Sequence, residues 1–183
     1  MIPRRLLEKV ERYEHRDTPA LQLTKKWIES DAWCLALFGE PDRGKSFAAA
    51  WAYRRSWDLP RGPCKGGSVW INAGTLAVMT LDRIRADLHK AMESPFVVVD
   101  DIGTESEHAS AMINAMLCYR GDNEYRTVLT CNVTVDDFDE RYKGRLTSRF
   151  ELGGVSDNGR PKWTRVVGGE SLRRVPMVKR KPE

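Results

Sequence analysis

The chain has 183 residues, enough to bury one good core and too few for two domains of ordinary size. Hydrophobic residues at 41% and charged residues at 31% exclude the disordered and membrane-embedded classes, and no apolar run approaches the roughly 18 residues of a membrane span. A net charge of +4 implies little beyond solubility, but its distribution is uneven. Arg160, Lys162, Arg165, Arg173, Arg174, Lys179, Arg180 and Lys181 face only Glu170 and Glu183 near the end of the chain, which reads equally as a polyanion-facing edge or a solvated tail. The opening MIPRRLLEKVERYEHR lacks the apolar run of a secretion signal, so a folded cytoplasmic protein is expected. Cys34, Cys64, Cys118 and Cys131 are widely spaced without a CxxC pair, which predicts free thiols and no zinc site.

In chain order, Thr18-Pro19 is a cap followed by a residue suited to a first helical turn, and Ala20, Leu23 and Trp27, flanked by Leu21 and Ile28, recur at helical spacing up to Ser30. Cys34–Phe38 is a short apolar run ending at Gly39, and the alanine-rich Phe47–Arg55 follows it, predicting strand, glycine loop and helix. Ser68–Asn72 then reads as a strand, Leu81–Met92 as an amphipathic helix, Phe96–Asp100 as a buried strand, Ala109–Tyr119 as a helix and Arg126–Cys131 as a fourth strand. This alternation argues for a mainly parallel sheet covered on both faces. Thr134-x-x-Asp137 resembles a capping box opening a short helix to about Tyr142. Beyond it, Gly153-Gly154, Gly159, Pro161 and Gly168-Gly169 break the chain into an expected hairpin around Trp163–Val167, with room for an edge strand. No repeat or long linker divides the sequence, so residues 1–30 read as a helical lead-in and 31–183 as one core with a short basic tail.

The chemistry concentrates in four segments. Gly39-Glu40-Pro41-Asp42-Arg43-Gly44-Lys45-Ser46 fits G-x-x-x-x-G-K-[ST] between a predicted strand and a predicted helix, with Phe47 next. Glycines let backbone N–H groups curl around phosphate oxygens, the helix start adds positive potential, Lys45 reaches the terminal phosphates and Ser46 offers a hydroxyl to Mg²⁺. Phe96–Val99 is a buried run ending in Asp100-Asp101 at a carboxyl edge, where open α/β sheets bind ligands. Asp100 is placed for a magnesium shell and Asp101 for orienting or activating a water. Asn132 closes the fourth strand, either as a γ-phosphate sensor or as the cap of the next turn. Arg145 and Arg149 stand four apart, on one face if this segment is helical.

Taken together, GEPDRGKS, VVVDDIGTE, YRGDNEYRTVLTCN and FDERYKGRLTSRF resemble, in order and spacing, the Walker A, Walker B, sensor 1 and finger segments of the DnaC, DnaI and IstB group of AAA+ ATPases, from about Trp33 to Phe150. The resemblance implies a three-layer P-loop NTPase of the ASCE type, with a five-stranded sheet in the order 5-1-4-3-2 and no room for a full lid domain. It implies ATP and Mg²⁺ as cofactors and slow, assembly-dependent hydrolysis in a ring or spiral with ATP between subunits. Arg149, with Arg145 second, takes the arginine-finger role. The implied partners are a replicative, DnaB-like helicase and single-stranded DNA. An extra helix after the second strand in this branch makes Arg83, Arg85 and Lys90 candidate phosphate contacts. The N-terminal docking domain of longer relatives is not expected, leaving Met1–Tyr13 as a short docking helix at most. Asp101 also stands where many AAA+ proteins have Glu, one methylene longer. Three other functions share part of this pattern: an IstB-like helper of transposition, a small P-loop kinase and a non-hydrolysing nucleotide switch.

Overall fold

The computed structural model describes residues 2–13, 18–59, 67–142, 146 and 162–166. Two helices open it, α1 (Arg4–Tyr13) and α2 (Pro19–Ile28). Thr18 caps α2 by accepting a 3.1 Å bond from the Leu21 N–H, and Pro19 costs nothing in a first turn whose N–H groups have no helical partner. Its buried stripe is Ala20, Leu21, Thr24 and Trp27, with Leu23 half-buried at the margin. Thr24 can face the core because its hydroxyl donates to the Ala20 carbonyl at 2.7 Å.

Strand β1 (Cys34–Phe38) follows, then α3 (Lys45–Arg55), a single 3₁₀ turn (Ser56–Asp58) and β2 (Val69–Asn72). A one-turn helix α4 (Ala73–Leu76) and α5 (Leu81–Met92) fill the crossover to β3 (Phe96–Ile102). Helix α6 (Glu107–Asp122), strand β4 (Arg126–Cys131), helix α7 (Val135–Tyr142) and strand β5 (Lys162–Val166) complete the described elements. The capping box holds at α7: the Asp137 N–H donates to Thr134 Oγ1 at 3.1 Å, and the Thr134 N–H donates to an Asp137 carboxylate oxygen at 3.4 Å.

Every ladder in the sheet is parallel and the order is β2-β3-β4-β1-β5, which read from the other edge is 5-1-4-3-2. The period of two explains the layers. Cys34, Ala36, Phe38, Val97, Val99, Leu129 and Cys131 face a core shared with α4–α7, while Leu35, Leu37, Phe96, Val98 and Val128 face one shared with α1–α3. Fully burying a side chain such as Leu37 or Ile113 contributes about 1.5–3 kcal/mol, so the two cores together specify which helix covers which face.

One expectation changes. Strand β3 runs two residues past Asp100, because Ile102 still pairs with Cys131 across a register shift. The expected edge strand is present: β5 lies parallel to β1, from Cys34 opposite Lys162 to Phe38 opposite Val166, and the flanking residues of the hairpin expected around Trp163–Val167 lie outside the described residues. The outer edge of a strand as apolar and buried as β1 needs partners for its backbone N–H and C=O groups, and a parallel neighbour supplies them. The question of a lid falls on residues after Phe150, of which only 162–166 are described. Cys34, Cys118 and Cys131 are free thiols, and Cys64 lies outside the described residues. Among the described residues no helix is long and apolar enough to cross a membrane.

Candidate functional site

The carboxyl ends of β1, β2, β3 and β4 bring the predicted residues together. Gly39 (φ 142°), Asp42 (φ 66°) and Gly44 (φ 82°) all take positive φ, so the loop from β1 to α3 curls tightly. Asp42 is a residue type that tolerates this region. Gly44 stands at the N-cap position of α3 without a side-chain cap, leaving the helix start open toward the loop. Glu40 and Pro41 are exposed, Arg43 pairs with Glu40, and Phe47 packs against the α1–α3 core.

Lys45, the first residue of α3, is 4% exposed. Its Nζ donates to the carbonyls of Gly39 and Glu40, each at 2.7 Å, and so spans the mouth of the loop. Burial lowers its pKa, against the opposing pull of Asp101, Cys131, Asp100 and Asp42. An ammonium held by two neutral carbonyls beside an open helix start is well arranged to receive a polyphosphate.

Asp100 lies opposite Asn72 in the β2–β3 ladder, and the amide of Asn72, the hydroxyl of Ser46 and Thr130 Oγ1, the last at 2.7 Å, all donate to its carboxylate. Burial nonetheless raises the Asp100 pKa, and the neighbouring charge of Asp101 adds to it. Between Val99 and Ile102, β3 carries one residue more than β4, a bulge that throws Asp101 into a left-handed conformation at φ 57°. Thr130 fills the gap: its Oγ1 accepts the Asp101 N–H at 2.9 Å while donating to Asp100. Asn132 then donates from Nδ2 to Asp101 Oδ1 at 2.8 Å, joining the tips of β3 and β4. Several hard oxygen donors close together, two of them carboxylates, are the groups that Mg²⁺ accepts.

Some predicted residues lie elsewhere. Arg83, Arg85 and Lys90 sit on the exposed side of α5, opposite the buried Ile84, Leu88 and Ala91, with Arg85 3.9 Å from Asp82. Arg145 and Arg149 lie outside the described residues. Cys131 is buried beside the cluster, its thiol pushed up to about 11 by burial, and it donates to the Ile102 carbonyl at 3.2 Å, so it is a poor nucleophile.

Sequence reasoning missed Asn72 and Thr130. Asn72 had the signal that singled out Asn132, a polar amide closing an apolar strand. Thr130 is a β-branched residue in a β-strand, and its double role shows only once the bulge is visible.

No family model matches the chain, and no curated protein matches it in sequence. Solved structures do match it in fold. A DnaC helicase loader structure superimposes with a TM-score of 0.66 at 17% identity, over 91% of this chain and 100% of that one. A DnaI structure gives 0.62 at 16% identity, over 93% and 94%. The replication initiator DnaA bound to AMPPCP and single-stranded DNA gives 0.60 at 14% identity, over 81% of this chain and 45% of that one. At such identities the likeness is one of fold, and the chain has the P-loop α/β fold that the DnaC, DnaI and DnaA structures share.

Proposed function

We propose that the chain binds ATP with Mg²⁺, hydrolyses it, and acts in DNA replication as a DnaC-like helicase loader. The observation that carries this reading is the convergence of Lys45 and Ser46, at the start of α3, with Asp100, Asp101 and Asn132 at the neighbouring strand tips. The triphosphate lies along the loop 39–44 and the first turn of α3, where Lys45 exchanges its two loop carbonyls for phosphate oxygens. Mg²⁺, when bound, neutralises charge on the phosphates, and Ser46 and Asp100 are the residues that hold its shell. Asp101 orients the attacking water and takes its proton at the carboxylate. Asn132 fixes that carboxylate and senses the terminal phosphate. Burial favours this assignment, since Asp100 is buried whereas Asp101, at the bulge, is half-exposed.

Arg149, with Arg145, supplies charge to a neighbouring subunit's site, so turnover requires assembly. A DnaB-like helicase and single-stranded DNA are the partners, and the exposed Arg83, Arg85 and Lys90 of α5 are the phosphate contacts. Support for this comes from the DnaC and DnaI folds and from the DnaA structure that holds both AMPPCP and single-stranded DNA.

Phosphate release measured with and without Mg²⁺, DNA and helicase tests the proposal. Turnover is expected to depend on Mg²⁺ and to vanish in Lys45→Ala, while Arg149→Ala keeps nucleotide binding and loses assembly-dependent turnover. Tight ATP binding without release under every condition identifies a nucleotide switch instead, and transfer to a metabolite acceptor identifies a kinase. Capture from the native cell with a trapped Asp101 variant distinguishes a helicase partner from a transposase.

A further inference from the structure

We infer that Glu105 is a positioning residue that ties the last turn of α7 to the Asp101–Gly103 turn, so that a change at the strand tips moves α7. The inference rests on the ATP reading above only for what causes that change.

The Glu105 side chain is fully buried, and both carboxylate oxygens are committed. Oε2 accepts the Gly103 N–H at 2.7 Å, and Oε1 accepts the Tyr142 hydroxyl at 2.5 Å and Arg141 Nε at 2.8 Å. Arg141 also donates from its guanidinium to the Glu105 carbonyl at 2.6 Å. Burial works to raise the Glu105 pKa, but the hydrogen bonds from Tyr142, Gly103 and Arg141 prevail and hold it below the ordinary carboxylate range. A buried carboxylate is an expensive fastener. It is also unnecessary for docking α7, because Phe138 meets Phe38 edge-on at 5.2 Å and both Phe138 and Tyr142 lie in the core with Leu146.

Directionality is what the carboxylate adds to that apolar contact. Its bonds end on the backbone of Gly103 (φ 101°), two residues beyond the strained Asp101, and on the final two residues of α7. The first turn of α7 is referenced to the same place: the Thr134–Asp137 box stands two residues after Asn132, which is bonded to Asp101. Both ends of α7 are therefore registered to one turn, and the chain beyond α7 leads toward Arg145 and Arg149.

Hydrogen exchange on the full chain tests this first without nucleotide. Glu105→Gln keeps the shape but turns one acceptor into a donor, and it is expected to speed exchange in the 101–105 turn and in α7 together by about tenfold. Tyr142→Phe, which removes a single hydroxyl, is expected to do the same to a smaller degree and guards against a Glu105 variant that fails to fold. Exchange confined to one of the two segments overturns the inference. With AMPPCP and Mg²⁺, protection in the parent is expected to reach both segments, and in Glu105→Gln to stop at the turn. Equal protection of α7 in both proteins overturns the link, whereas no protection anywhere in the parent counts against the ATP reading and leaves the nucleotide-free result standing. Turnover in the assembled state is expected to fall about tenfold or more in Glu105→Gln with AMPPCP affinity unchanged, and a parallel loss of affinity would mark a purely structural role.

Discussion

At the amino ends of the strands Arg120 is fully buried and donates to Thr127 Oγ1 and to the carbonyls of Ala91, Met92, Ser94 and Arg126 at 2.6–3.3 Å. At the carboxyl ends the other buried cation among the described residues, Lys45, holds two carbonyls of a loop built on left-handed residues. The first cation is built into three elements at once, the end of α5, the end of α6 and the start of β4. The second is held by contacts that a ligand can replace. Under the proposed function, buried polarity serves rigidity at one end of the sheet and exchange with nucleotide at the other.

The largest effect that would sharpen this contrast is on stability. Arg120→Met strands several buried carbonyls and is expected to cost about 3–5 kcal/mol. In a domain of this size that lowers Tm by roughly 10–15 °C, read by thermal unfolding, while nucleotide affinity at low temperature stays near that of the parent. If Arg120→Met unfolds like the parent, the amino end is not the rigid end.

Lys45→Met is the matching change at the other end. It is expected to reduce turnover about 10²–10³-fold, equivalent to some 2.7–4 kcal/mol of lost transition-state stabilisation. Its Tm without nucleotide should stay within a few degrees of the parent, since only two loop carbonyls lose a partner and the loop opens to water. A drop in Tm as large as that of Arg120→Met would erase the distinction between the two ends.

The same contrast explains what was legible in the sequence. Strands β1 to β4 and the phosphate-loop pattern follow from local periodicity and short-range motifs, and they lie where those signals put them except for the carboxyl end of β3. The resemblance supplied the strand order, whereas Asn132 stood out as a polar amide closing an apolar strand. The parts that escaped depend on residues far apart in the chain: Thr130 beneath Asp100, Asn72 across the ladder, Glu105 on Tyr142 and Arg120 on Ala91. No local pattern encodes such pairs. The bulge at Asp101 was equally hidden, because two consecutive aspartates read as a strand end, whereas the ladder resumes at Ile102. The register of β5 against β1 was hidden for a related reason: glycine punctuation marks where a strand stops, and a parallel return across other elements leaves no local trace.

The smallest expected effect separates the two buried acids. Glu105 has a lowered pKa, so its contribution to stability is present above the ordinary carboxyl range and is lost as pH falls through its folded value. Asp100 has a raised pKa, chiefly through burial and further through Asp101. For an acid that shift has the opposite sign: the folded state resists ionisation, and the cost is fully present once pH exceeds the folded value. Asp100→Asn removes the charge while keeping an acceptor for Thr130, and it is expected to raise the Tm of the nucleotide-free protein at neutral pH by roughly 2–4 °C, or about 1 kcal/mol. The gain should fade as the pH is lowered until the parent's Asp100 is itself protonated, and Mg²⁺-dependent turnover should be lost throughout. Stabilisation that persists unchanged at low pH would show that the amide packs better for reasons unrelated to charge. Stabilisation confined to the ionised range would show that the strand tip keeps a carboxylate at the expense of its own stability, as a site that awaits a cation does.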